Sequence, residues 1–482
     1  MMTSVPTPLC SRPQGLGPPR RARLLRLEIR HSTMIWLLPL LGALFYFDAF
    51  RTAAGSPPFW FVRSSAIPVA DFSLFAAGVA AWSGSRDGRR QTVDLVATAA
   101  RPRWVTALAS FAATVIWTLV AFLGCVAALY GFTASQASWG GPPWWPVAAG
   151  AAVVFAFCAL GFAAGMLLPG RFTAPLAALV TFLVLIVAFR VVLNESHPTF
   201  ALLSPTNSVP RMDVGVFFPY LPDLDIVQIM FFAGIAVAVL GGLGLATASG
   251  SRVVGRAAAV VCAVGLAAAG TGVVLAGTAR VEATGVVIPA VHDAARDRPI
   301  AYTPVCRQAA IPVCVHPAFS DYLPDLAAAL NPLLRQVAGL PGAPVRIEQS
   351  PSSTPDTIIG ATATLSGSPP VMQLAIFDPT TQPGSHGYGG QSNLRRNMPA
   401  EIAVVDAVVG GSDKGAVGDP AQTAIGAALL ANAGVSKALD LPSAMADAAR
   451  SFTGLAPSEQ RAWLAAHLGA LRSGQITLAQ IP

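Results

Sequence analysis

Seven nearly uninterrupted apolar stretches dominate the first 280 positions, at about 34–50, 66–82, 104–130, 146–168, 172–190, 227–248 and 254–278. Most reach or approach the ~20 residues that an α-helix needs to cross ~30 Å of hydrocarbon at its rise per residue. The first two are the shortest. Membrane-spanning strands would alternate apolar and polar positions, and these runs are continuous. The pattern predicts an α-helical polytopic membrane protein with about six to seven transmembrane helices.

Beyond residue 280 the pattern becomes mixed. Short β-like runs occur at Val286–Pro289, Ile311–Val315, Val345–Glu348, Thr357–Ile359 and Val371–Phe377. Helical periodicity appears at Tyr322–Ala338, Glu401–Val409, Gln422–Ala433, Ala444–Phe452 and Ser458–Leu471. The last of these reads as a helix capped by Ser458 and ending before Gly474, with Trp463, Leu464, His467 and Leu468 on one stripe. Residues 378–398, rich in Gly, Ser, Pro and Gln, read as a loop. Strands first and helices last predict an α+β domain.

Composition strengthens the membrane assignment. Of 482 residues, 54% are hydrophobic and only 11% charged, where soluble domains carry about 25% charge. A watery surface cannot be built from so few charges, whereas lipid accepts the apolar excess. Lysine is confined to Lys414 and Lys437 while Arg, Ala, Gly and Pro abound, a bias of GC-rich, actinobacterial-type genomes.

The net charge of +7 could suggest a nucleic-acid partner, but its distribution excludes that reading and sets an orientation instead. With the N-terminus in the cytoplasm, the inner segments and adjacent helix ends hold Arg12, Arg20, Arg21, Arg23, Arg26, Arg30, Arg86, Arg89, Arg90, Arg101, Arg103, Arg171, Arg252 and Arg256. The opposite loops hold only Arg51, Arg63 and Arg211, with Arg190 at a helix end. Cytoplasmic loops are the ones enriched in Lys and Arg. Seven spans then predict three parts: a cytoplasmic tail at 1–33, a transmembrane domain at 34–279, and an extracytoplasmic α+β domain at 280–482. The tail is basic and Pro-rich, without an apolar core followed by a cleavage site.

The cysteines bear on the same placement. Cys125, Cys158 and Cys262 lie inside apolar runs and read as small buried hydrophobes. Cys306 and Cys314 bracket a short loop, and outside the cytoplasm a disulfide between them is favoured over two free thiols or, with His316, a metal site.

Two arginine-rich segments carry the candidate chemistry. Before the first apolar run, Leu24, Leu25, Leu27 and Ile29 form an apolar stripe, and Arg23, Arg26 and Arg30 occupy the other side. That pattern suits a helix lying in the membrane interface with arginines on lipid phosphates, although a plain positive anchor has the same charge. Between the second and third runs, residues 83–103 include Arg86, Arg89, Arg90, Thr92, Asp94, Leu95, Val96, Pro102 and Arg103. Thr92 suits a helix cap, Asp94 suits the first turn where the helix dipole favours an anion, and Pro102 stops the helix.

This order resembles the permease subunits of ABC-2-type exporters. In that family an interfacial helix precedes the first span, and a loop after the second carries basic residues, a Thr, an acidic residue, an apolar pair and a Pro-Arg. Arg89, Arg90, Thr92, Asp94, Leu95, Val96, Pro102 and Arg103 follow that order. Gln91 stands where the family usually has Gly, and Asp94 where it usually has Glu. The similarity covers the layout of roughly 280 residues, and about 20 at the level of a motif. A usual core has six spans, so a seventh would carry the C-terminal domain across. The resemblance implies that Arg86, Arg89, Arg90, Thr92 and Asp94 dock on a separate ATPase subunit. It also implies pairing with a second permease copy or a paralogue.

No P-loop occurs: Gly410-Gly-Ser-Asp-Lys414-Gly415 lacks the Ser or Thr after the lysine. ATP would therefore bind a partner, and no cofactor is expected on this chain. Neither H-E-x-x-H nor G-x-S-x-G appears, and His292, His316, His386 and His467 are spaced unlike metal ligands. Asp48 and Asp71 fall near the outer ends of two runs, and no series of buried acids suggests a proton path. The aromatic loops around Trp139–Pro146 and Phe217–Pro222 read as an interfacial belt. The expected function is that of an exporter permease without enzymatic activity of its own. The alternative is a membrane-anchored extracytoplasmic sensor or enzyme-like domain.

Overall fold

The computed structural model describes residues 25–30, 32–54, 58–89, 103–194, 198–205, 214–247, 252–282, 285–351, 361–376, 398–410, 419–435 and 441–482. Every one of the seven apolar runs folds as helix: α1 Met34–Phe45, α2 Val69–Gly84, α3 Arg103–Ala134, α4 Trp145–Leu167, α5 Thr173–Asn194, α6 Asp223–Thr247 and α7 Arg252–Ala276. Among the described residues, five helical segments are long and apolar enough to cross a membrane: Trp60–Gly84, Trp104–Ala134, Trp145–Leu167, Asp223–Thr247 and Arg252–Ala276. The apolar helices Met34–Asp48 and Thr173–Ala188 are shorter. α1 contains Pro39 and passes through a π-helical turn, Tyr46–Phe50, into a further turn at Arg51–Ala54. The second segment reaches 25 residues because a turn at Trp60–Ser64 precedes α2.

Helix–helix contact is set by small residues. A Cβ added to Gly161 of α4 would lie 2.1 Å from the Ala77 carbonyl oxygen of α2, and one on Gly165 would lie 2.2 Å from that of Ala81. α6 and α7 meet in the same way, with Gly234 facing Ala269 and Gly265 facing Ala238. Helices in lipid gain little from hydrophobic exclusion, so close backbone approach through Gly and Ala supplies the packing. α7 leaves its remaining sides open: Val253 is 78% exposed, and Val260, Val264, Leu266 and Val274 are exposed with it. Such a surface suits hydrocarbon rather than water.

After α7 comes a hairpin of β1 Arg280–Glu282 and β2 Gly285–Val287. The mixed sheet that follows has the order β3-β4-β5-β7-β6, built from Val305–Arg307, Val313–Val315, Arg346–Gln349, Val371–Ile376 and Ala361–Ser366 respectively. β3–β4 and β6–β7 are antiparallel, while β4–β5 and β5–β7 are parallel. The helices are α8 Leu323–Val337, α9 Met398–Val409, α10 Pro420–Asn432, α11 Ser443–Gly454 and α12 Pro457–Arg472. α8 forms the crossover between parallel β4 and β5, so strands and helices interleave rather than running strictly strands first. Its Leu326, Leu330, Leu333, Leu334 and Val337 face the core on one stripe.

Five predicted helices of the C-terminal part and four of its β runs are present. Thr357–Ile359 and residues 378–397 lie outside the described residues. Ser458 is not the cap of α12: the helix starts at Pro457 with Ala456 as N-cap. Pro fits N1 because it has no N–H to satisfy and its φ is already helical. The Glu459 carboxylate accepts from the Ala456 N–H at 3.1 Å, closing the end from inside. Leu464 and Leu468 are buried on the predicted stripe, and Trp463 stacks on His467 at its margin.

The C-terminal core does not stop at the last long helix. It takes in Phe59, Val216 and Phe217 from the connections of the helical bundle. Phe59 packs on Phe319 with ring centroids 4.7 Å apart, and the Ile300 N–H donates to the Phe217 carbonyl at 2.7 Å.

Candidate functional site

Two polar constellations occupy opposite ends of the helical bundle. At the end where α2 finishes and α3 begins, two short helices meet: residues 25–30 and Arg86–Arg89. Arg86 grips Glu28 with two parallel bonds, Nη1 to Oε2 and Nη2 to Oε1, both 3.2 Å. Trp117 of α3 donates through Nε1 to the Ile29 carbonyl at 2.8 Å. Arg89 lays its guanidinium 3.4 Å from the centroid of Trp82 and donates to the Trp82 carbonyl at 2.9 Å. Gly88 fits because nothing larger could: a Cβ there would lie 2.3 Å from that of Pro169, in the connection between α4 and α5.

The Glu28 and Arg86 side chains are 21% and 42% exposed. An ion pair of that exposure contributes under ~1 kcal/mol, so its effect is to fix an orientation more than to stabilise the fold. The bidentate geometry gives it direction.

The predicted residues divide as follows. Arg86 and Arg89 are half-buried and engage their own chain, while Arg26 and Arg30 stand exposed on the 25–30 helix. Leu25 and Ile29 of the apolar stripe are half-buried, but Leu27 is exposed. Arg23, Arg90, Thr92 and Asp94 lie outside the described residues.

At the opposite end, Cys306 and Cys314 are cross-strand partners of β3 and β4 and form a disulfide. One residue past β4, His316 is fully buried. Its Nδ1 accepts from the Ala318 N–H at 3.1 Å, capping a short 3₁₀ turn, and its own N–H donates to Gln349 Oε1 at 2.9 Å. Tyr302, Trp139 and Phe217 enclose the imidazole at centroid distances of 4.3, 4.7 and 5.2 Å. Burial pushes the His316 pKa down to about 4. Trp144 and Trp145 are exposed at this end, as a belt would be, but Trp139 turns onto the histidine.

Beside it, the start of α6 carries a second group. Asp223 is fully buried and accepts through Oδ2 from the Ile288 N–H at 2.9 Å. His292 places Nδ1 3.0 Å from Asp223 Oδ2 and Nε2 3.1 Å from Asp297 Oδ2. The Asp297 carboxylate first, and Asp223 after it, raise the His292 pKa against partial desolvation. Tyr220 donates its hydroxyl to Asp225, and Arg296 Nη1 donates to the Tyr220 carbonyl at 2.7 Å. The apolar run that predicts this span starts at residue 227 and leaves out Asp223 and Asp225. The signal available was Asp-Leu-Asp directly before an apolar run, an N-terminal turn rich in acid. No comparable signal joined them to His292, which is brought in by the hairpin.

Among the described residues no group of three or more His, Cys, Asp or Glu side chains is arranged to hold a metal ion. No protein-family model, curated protein or solved structure matches the chain.

Proposed function

We propose that the chain is the membrane-spanning permease subunit of an ABC-type exporter, driven by an ATPase on a separate subunit. The observation that carries this reading is the bidentate Glu28–Arg86 pair. It ties the helix before the first apolar helix to the segment after the second. Together with Trp117 on Ile29 and Gly88 against Pro169, it makes the inner end one mechanical unit. A motor that pushes on this unit would move α2, α3 and α4 together, which a free solvated loop could not transmit.

On this reading Arg86 and Arg89 shape the handle from within. The exposed Arg26, Arg30 and Asp87, with Arg90, Thr92 and Asp94 of the following segment, supply the contact surface for the ATPase. The N-terminus is cytoplasmic and the C-terminal α+β domain extracytoplasmic, in the plasma membrane. A second permease copy or a paralogue, and membrane lipid, cover the exposed apolar sides of α5 and α7.

The test is affinity purification of the full chain from its native membrane, with the co-purifying proteins identified by mass spectrometry. The wild type should retain an ABC ATPase in detergent, and the double variant Arg90→Glu/Asp94→Arg should lose it at least tenfold while remaining monodisperse. Equal retention by the double variant would remove the coupling surface. Absence of any bound ATPase would favour the membrane-anchored sensor or enzyme-like domain instead.

A further inference from the structure

We propose that His292, set between Asp223 and Asp297, is a proton-held latch that fastens the first hairpin of the C-terminal domain to the mouth of α6 and releases it as pH rises. An ionised carboxylate can only accept hydrogen bonds, and a neutral imidazole carries a single N–H. Both ring nitrogens of His292 lie within 3.1 Å of a carboxylate oxygen. Both contacts are bonds only when the ring holds a second proton. Without it, one nitrogen lone pair faces an oxygen lone pair.

The buried partner makes the loss costly. Asp223 is 0% exposed, and its Oδ1 is buried without a hydrogen-bond partner among the described residues. An anion removed from water needs a compensating charge. The neighbouring charges do not supply it. Arg296, on the same turn as Asp297, is 3.6 Å from Asp293 and donates to the Tyr220 carbonyl. Asp225, also on α6, accepts from Tyr220. Among the described residues, His292 is the group placed to face Asp223 as a cation.

The position of the latch gives it something to hold. Asp223 Oδ2 also accepts from the Ile288 N–H, at the end of the hairpin strand β2. Ile288 sits in a small core of its own with Leu203, Val227, Ala276 and Val286, where α6, α7 and the hairpin converge. The hairpin follows directly on α7. One proton therefore sets whether the entry to the C-terminal domain is clamped to α6. Proton access runs through the turn: the Asp297 side chain is 42% exposed, that of His292 12%, and that of Asp223 not at all.

The sign follows from linkage. The two carboxylates raise the folded-state pKa of His292, so the clamp is fully present below the ordinary pKa of about 6.5 and is lost as pH climbs through the raised value. The experiment is hydrogen exchange with mass spectrometry on the full chain in lipid nanodiscs between pH 6 and 9.5, corrected for intrinsic exchange. The fragment covering Ile288 to His292 is followed.

Protection in the wild type should fall at least tenfold across the range. In His292→Gln, which cannot gain a proton, it should be low and flat with pH. In Asp297→Asn, whose side chain is the most exposed of the three, the transition should move to lower pH. Unchanged protection of β4 and β5 in each variant shows that the domain is folded. A flat wild-type profile, or a His292→Gln profile that tracks the wild type, would overturn the latch.

Discussion

His316 shows how much a single residue can reveal about the place where the two parts of the chain join. It belongs to the C-terminal sheet region, yet Trp139 and Phe217 from the helical part enclose it. Its folded-state pKa is depressed to about 4 from the ordinary 6.5, because a charged ring would be buried among aromatic faces. Above pH 6.5 the ring is neutral in both folded and unfolded chains, and burial carries no protonation penalty. As pH falls from 6.5 towards 4 the unfolded chain gains a proton that the folded one refuses, and about 3 kcal/mol of stability is lost. His316→Asn keeps an acceptor for the Ala318 N–H and removes the titration. Thermal melts of the wild type should therefore fall more steeply between pH 6.5 and 4 than those of the variant, although the variant is less stable at pH 7 through lost packing.

The Glu28–Arg86 pair makes the contrasting case, where charge orients more than it stabilises. Arg86→Glu should lower the melting temperature only slightly, yet it should raise exchange in residues 25–30. The swap Glu28→Arg/Arg86→Glu should restore protection there.

At the scale of elements, the tightest constraints sit on glycines. Gly161→Ala inserts a Cβ 2.1 Å from a carbonyl oxygen of α2, so the two helices must move apart. Overpacking of this kind costs about 1–3 kcal/mol, and a larger side chain more. Gly124 on α3 has nothing within 4 Å of an added Cβ and is an internal control. Gly161→Leu should reduce the yield of monodisperse protein severalfold, and Gly124→Leu should leave it unchanged by size-exclusion chromatography.

The apolar runs were legible because lipid demands long, unbroken helices. The last helix was legible from its stripe of Leu464 and Leu468. The strands missed, β1, β3 and β6, are either three residues long or, in Ala-Thr-Ala-Thr-Leu-Ser, low in bulky apolar side chains. Each becomes a strand by pairing with the next strand along the chain, a tertiary contact that its own residue pattern does not encode. The same holds for the Asp223–His292–Asp297 row. Its members are ordinary surface residue types until the hairpin folds back on α6.

At the scale of the molecule, two ends of one helical bundle carry different chemistry. One end presents Arg26, Arg30 and the Glu28–Arg86 clasp. The other presents a sheet domain whose core is completed by Phe59, Val216 and Phe217. The domain is thus seated on the bundle rather than tethered to it, so movement of the connections between helices must reach it. The proposed assignment, read from arginine placement, puts the first end in the cytoplasm, and the Cys306–Cys314 disulfide suits an oxidising compartment at the second.

That assignment predicts which side each end faces. Single cysteines can be placed at the exposed Asp87 and Asp321 in a chain with Cys10, Cys125, Cys158 and Cys262 replaced by alanine. In intact cells a membrane-impermeant maleimide should modify Asp321→Cys at once, and Asp87→Cys only after permeabilisation. The reverse pattern would place the arginine clasp outside, away from any ATP-driven motor. Labelling of both from one side would mean an even number of crossings between them, and the shorter helix Thr173–Ala188 would be the first to be reassigned as non-spanning.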